Sequence, residues 1–132
     1  MIGLDTNILV RLLVTDDPNQ TAQARRFVDN RCTPKSPGFI NCVVLAELVW
    51  VLGKVYDYRR AEIAAAIESL LAGGDRVVEY HDDVRAALAE YKSGGVDFTD
   101  AIIYRINRAR GCEATATFDR RAAKLDGFIR IT

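Results

Sequence analysis

Met1-Ile2-Gly3-Leu4-Asp5-Thr6-Asn7-Ile8-Leu9 passes from one kind of structure to another within a few residues. Ile2-Gly3-Leu4 reads as a short buried strand, Asp5 ends it, and a helix follows through Ile8, Leu9, Leu12 and Leu13. The same grammar recurs downstream. Thr15-Asp16-Asp17-Pro18 breaks the first helix, because proline fixes φ and lacks a donor, and a second runs over 18–30 with Ala22, Ala24, Phe27 and Val28 inward. After a Pro/Ser/Gly loop, Phe39-Ile40 forms a second strand. Asn41 caps a helix over 42–55 whose inner stripe is Val44, Leu48, Val51, Leu52 and Val55.

Tyr56-Asp57-Tyr58 turns the chain into an Ala-rich helix over 59–71, stopped by Gly73-Gly74. A third strand is expected over 76–80, a helix from Asp82 or Asp83 to Tyr91, and another over 98–110 that ends at Gly111. Residues 114–118 form the fourth strand, 120–125 a short helix and 128–131 the last strand. Short apolar strands alternating with helices predict an α/β fold with a mostly parallel sheet covered on both faces. With 132 residues, 49% of them hydrophobic, and no repeat or linker, one domain spanning 1–132 is expected.

Eighteen basic and eighteen acidic side chains cancel, so no global field recruits a polyanion. Local asymmetry exists. From Ala101 onward Arg105, Arg108, Arg110, Arg120, Arg121, Lys124 and Arg130 face only Glu113, Asp119 and Asp126, although solvated helix faces would look the same. Cys32, Cys42 and Cys112 are odd in number and lack a CxxC spacing, which points to reduced thiols and a cytoplasmic location. No apolar run nears the roughly 18 residues of a membrane span, and no secretory signal is visible.

Four acids stand where acids are poorly placed for stability. Asp5 and Asp119 end strands, while Glu47 and Asp100 interrupt two of the most apolar helical stretches. A carboxylate withdrawn from water is costly, and four together repel, so a divalent cation is the natural compensation. Each acid has a plainer reading. Asp5 can cap a helix, though Thr6 and Asn7 could do so as well. Glu47, at the border of its stripe, can reach past the rim to solvent. Asp97 and Asp100 can serve the dipole of the helix they open, with Asp97 fitting the cap and Asp100 lying against the buried side. Asp119 can cap the helix after it, with Thr117 on its own face if the strand extends that far.

Open α/β sheets gather ligands beyond their strands' carboxyl ends near the switch in strand order, which gives these acids a common place. Without partner His or Cys, zinc is a poor candidate; all-oxygen ligation suits Mg²⁺ or Mn²⁺. Lone His81, Cys42 and Trp50 read as surface, core and core respectively. One or two hard ions can activate a water for phosphodiester displacement.

Taken in order, Ile2-Gly3-Leu4-Asp5-Thr6-Asn7-Ile8-Leu9, the Glu47 helix, Asp97-Phe98-Thr99-Asp100-Ala101 and Thr117-Phe118-Asp119 resemble the PIN-domain family, most closely the VapC-type toxins of toxin–antitoxin pairs. The resemblance implies a three-layer α/β/α fold with a short, mostly parallel central sheet and a Mg²⁺- or Mn²⁺-dependent endoribonuclease. Its acidic quartet falls on Asp5, Glu47, Asp100 and Asp119. Thr6, Asn7 and Thr117 match positions that orient the ligands or the attacking water, and Asp97 matches an additional acid. It further implies a homodimer silenced by a cognate VapB-like antitoxin. Arg11, Arg105, Arg108 and Arg120 are candidate RNA-backbone contacts on charge alone.

Rival readings are a PIN nuclease of RNA maturation, a non-catalytic module whose acids accept a basic partner, and a phosphatase with Asp5 as nucleophile. The last wants an acid at position 7, where the chain has Asn7.

Overall fold

The computed structural model describes residues 1–132, which form two compact units, Met1–His81 and Asp82–Thr132. In the first, β1 (Ile2–Gly3), β2 (Gly38–Ile40) and β3 (Arg76–Val78) pair in parallel in the order β1-β2-β3, with Ile2 opposite Gly38 and Ile40 opposite Val78. Parallel neighbours need long crossovers. The helices α1 (Thr6–Leu13) and α2 (Pro18–Arg31) supply the first, α3 (Cys42–Lys54) and α4 (Arg60–Ala72) the second. The strand order advances without reversing, so this sheet contains no switch-point crevice. All three carboxyl ends instead lie along one edge, marked by Asp5, Asn41 and Glu79.

Local chemistry sets the element bounds. Asp17 caps α2 by accepting the Gln20 amide at 3.1 Å, and Pro18 occupies the first helical turn, where its missing N–H costs nothing. The Thr21 hydroxyl donates to the Arg11 carbonyl at 2.8 Å and ties α2 to the end of α1. Leu4, Leu9, Ile40, Leu45, Leu48, Leu52 and Ile67 are buried, and truncating any one to alanine costs about 2–5 kcal/mol.

The inward faces differ from expectation in two helices. On α2 the buried residues are Thr21 and Ala24, with Val28 half-buried, so the spacing i, i+3, i+7 leaves Ala22 and Phe27 exposed. On α3 the buried row is Cys42, Leu45, Leu48 and Leu52, rotated from the anticipated stripe. Val55 is therefore exposed, and Trp50, expected in the core, is 60% exposed. With apolar residues all round this helix, periodicity could not fix its inward face.

In the second unit α5 (His81–Lys92), apart from its first residue, and α6 (Phe98–Ala109) accompany the parallel pair β4 (Thr115–Thr117) and β5 (Phe128–Arg130). Tyr91 and Phe98 are buried and meet edge to face at 5.9 Å. Gly111, at φ 94°, takes the left-handed position that ends α6. The helix expected over 120–125 shortens to a single 3-10 turn, Ala122–Lys124, since the chain must return within ten residues to lay β5 parallel beside β4. The strands form one three-stranded and one two-stranded sheet, and all pairings are parallel where the apolar pattern predicted a mostly parallel sheet.

Candidate metal centre

Asp5 and Glu47 belong to the first unit. Asp5 is the N-cap of α1 in extended backbone, and its Oδ1 accepts the Thr6 amide at 2.8 Å, leaving Oδ2 without a protein donor. Its neighbour Thr6 is 4% exposed, yet its hydroxyl has no partner. A buried, unpaired hydroxyl costs about 1–3 kcal/mol, so its retention beside a strand-end acid marks a polar site.

The neighbouring strand end is held differently. Asn41 Oδ1 accepts the Val44 amide at 2.9 Å, and Glu79 Oε1 accepts the Cys42 amide at 2.9 Å. Two side chains thus satisfy the start of α3 and set its direction. Glu47 follows on the second turn of α3, exposed, while α3 packs against α1. Glu79 is a positioning residue that sequence reading missed. Residues 76–80 read as one strand, which made it an interior position; β3 stops at Val78 and places Glu79 beside Asn41.

Asn7 and Arg11 line a groove of about 520 Å³ between α1 and α2, together with Ile8, Gln20, Ala24 and Phe27. Arg11 is paired with Asp16 at 2.7 Å.

The second unit holds Asp97, Asp100 and Asp119. Asp97 is the N-cap of α6 by backbone position, but its side chain makes no capping bond and stays exposed. Asp100, in the first turn, is half-buried. Desolvation pushes its carboxyl above the usual carboxylate range, the charges of Asp97 and Asp119 push it further, and Arg121 opposes them. Asp97 and Asp100, three residues apart, therefore share one electrostatic neighbourhood with the sequence-distant Asp119.

Asp119 is both cap and member of that cluster. Its Oδ1 accepts the amides of Arg121 at 2.7 Å and Ala122 at 3.3 Å, while its own amide donates to the Thr117 hydroxyl at 3.0 Å. Strand β4 ends at Thr117, so a side-chain turn joins Thr117 to Asp119 where strand alternation was anticipated. Sequence reading put forward Arg120 as a candidate contact, whereas Arg121 is the basic residue whose charge acts on Asp100.

Burial as the motive for a cation holds for Asp100, whereas Asp5, Glu47 and Asp119 are exposed. In neither unit do three His, Cys, Asp or Glu side chains close around one ion. The donor set nevertheless fits a hard divalent cation in kind. It is all oxygen, mutually repulsive around Asp100, and Mg²⁺ characteristically keeps several waters beside one or two carboxylates. Among the nitrogen and sulfur donors, a His81 ring nitrogen lies 3.3 Å from the Leu71 carbonyl, Cys32 and Cys42 are buried, and Cys112 is exposed. His81, expected at the surface, is half-buried there.

The family model for the PIN domain matches residues 2–128, and the chain belongs to the PIN-domain family. With it comes the three-layer α/β/α class that the sequence implied, in a family whose members are generally metal-dependent nucleases. A search of curated proteins returned no match. No helix is long and apolar enough to cross a membrane.

Proposed function

We propose that this chain is a Mg²⁺- or Mn²⁺-dependent endoribonuclease with Asp5, Glu47, Asp100 and Asp119 as the metal ligands. It would be the toxin of a VapBC-like pair, cytoplasmic and homodimeric, with residues 1–132 acting as one PIN domain. The observation that carries the nuclease reading is the acidic neighbourhood of Asp100, in a chain whose family cuts nucleic acid.

A bound divalent ion supplies positive charge to a phosphodiester oxygen and makes water a better nucleophile. The chain's own residues hold the acids in place. The Arg121 and Ala122 amides fix one oxygen of Asp119 and leave the other for a cation, and the Thr6 amide does the same for Asp5. Asp97, free of capping duty, adds negative charge at the entrance of α6. Asn7 opens onto the α1–α2 groove, whose exposed Phe27 (37%) and half-buried Ile8 offer an apolar seat for an antitoxin segment.

Total and transfer RNA incubated with and without Mg²⁺ or Mn²⁺, with the cut ends mapped, tests the activity. Wild-type protein should cleave only with metal, and Asp5→Ala and Asp100→Ala should not cleave. Absence of cleavage with either ion, or full cleavage by both variants, removes the nuclease reading. The toxin role is tested by expression in cells. Growth arrest relieved by a small protein encoded beside the gene supports it, and arrest-free expression of active enzyme favours RNA maturation.

A further inference from the structure

The second unit also carries a hollow of about 400 Å³ among Glu90, Tyr104, Arg105, Arg108, Lys124 and Asp126. Its charges are unevenly spent. Glu90 Oε1 accepts the Tyr104 hydroxyl at 2.6 Å and Arg105 Nε at 2.7 Å, with Arg105 Nη2 closing on the same oxygen. Arg105 is thereby neutralised and becomes part of the wall. Arg108 stands over the Tyr104 ring at 5.5 Å without a carboxylate, and Lys124 likewise has none. Against these two free cations the rim offers one acid, Asp126, paired with neither.

The wall is built. Tyr104 is 6% exposed, packs edge to face on Phe128 at 5.6 Å, and rests on Gly127, where an added Cβ would meet its ring at 2.1 Å. Only glycine at 127 lets the ring lie where it fixes both Glu90 and the two arginines. Asp100, Tyr104 and Arg108 follow one another at i, i+4 and i+8 on α6. The hollow thus lies about 12 Å along that helix from Asp100, at 1.5 Å per residue.

We propose that this hollow binds a phosphate of a single-stranded RNA, with Arg108 and Lys124 as its contacts and Tyr104, Arg105 and Glu90 as the frame that positions them. Its distance from Asp100 makes this a phosphate flanking the one to be cut, a placement that rests on the nuclease reading. An arginine fixed by an aromatic face presents its fork with less freedom to lose than one in open water, and a compact anion suits that fork.

Fluorescence anisotropy with a short fluorescein-labelled single-stranded RNA of mixed sequence, in EDTA so that nothing is cleaved, tests the hollow independently of catalysis. The double variant Arg108→Ala/Lys124→Ala should bind at least about tenfold more weakly. Its plot of log affinity against log salt should be shallower by about 0.7 for each phosphate that is no longer neutralised, with unchanged melting temperature. Arg85→Ala, exposed on α5, should leave both readouts as in wild type. Unchanged affinity and slope in the double variant would overturn the proposal, as would an equal loss in Arg85→Ala or displacement of the RNA by polyglutamate as effectively as by unlabelled RNA. If RNA stays intact with Mg²⁺ and Mn²⁺ while the double variant shows the shallower slope, the nuclease reading falls and the hollow stands.

Discussion

Tyr104 donates its hydroxyl to Glu90 at 2.6 Å, joining α6 to α5 inside the second unit by a bond whose acceptor is also held by Arg105. Burial, and then this bond, push the tyrosine above its ordinary value of 10.0, so ionisation is disfavoured in the folded protein. The protonated form is the one the fold prefers. Its contribution to stability is complete below about pH 10 and is lost as pH rises through the elevated value. Tyr104→Phe should cost about 1–2 kcal/mol near neutrality. Melting curves from pH 8 to 11 should show the wild-type advantage shrinking at the alkaline end; a constant advantage across that range would refute the coupling.

Asp100 offers the opposite trade between stability and function. Desolvation, Asp97 and Asp119 all disfavour its charge, so the folded protein is progressively penalised as pH rises from the ordinary carboxylate value through the raised one. Without metal, Asp100→Asn should therefore melt higher than wild type at pH 7, by about 1–3 °C, with the difference disappearing as pH falls into the carboxylate range. Mn²⁺ should raise the melting temperature of wild type and leave the variant almost unmoved. Calorimetric scans in EDTA and in Mn²⁺ distinguish the two effects.

Asp119 caps the turn after it and, in the proposed function, also holds metal, two roles that substitution can divide. Asp119→Ala removes the acceptor for the Arg121 and Ala122 amides and should cost about 1 kcal/mol, along with RNA cleavage. Asp119→Asn keeps the acceptor and loses the charge. It should melt near wild type and still fail to cleave, as read by denaturant titration beside a gel assay. A fully active Asn variant would leave Asp119 as a cap alone.

Thr6 carries a hydroxyl buried without a partner. Thr6→Val preserves its shape and relieves the unpaired oxygen, so the metal-free protein should be equal in stability or up to about 2 kcal/mol more stable. If that hydroxyl serves Asp5, RNA cleavage should fall in the same variant. Chemical denaturation and initial cleavage rates together settle whether the hydroxyl is kept for function.

Much of the fold could be read because its punctuation is local. Asp17-Pro18, Asn41 and Gly111 each act within one turn of helix, and the observed elements begin or end there. The inward faces of α2 and α3 were less legible. Their apolar residues point in several directions, and only tertiary packing decides that Leu48 is buried while Trp50 is exposed. In the second unit, the link among Asp97, Asp100 and Asp119 was foreseeable from strand-end and helix-start positions. Glu79 was not, because its role depends on strand register, and neither was the charge of Arg121 acting on Asp100, which depends on tertiary placement.

Position 127 has room for a hydrogen and little else. A single methyl there would tilt the tyrosine out of line while every ionic group of the hollow kept its charge. The two contributions to anion recognition, how much electricity and how well it is aimed, thereby become separable with one carbon atom.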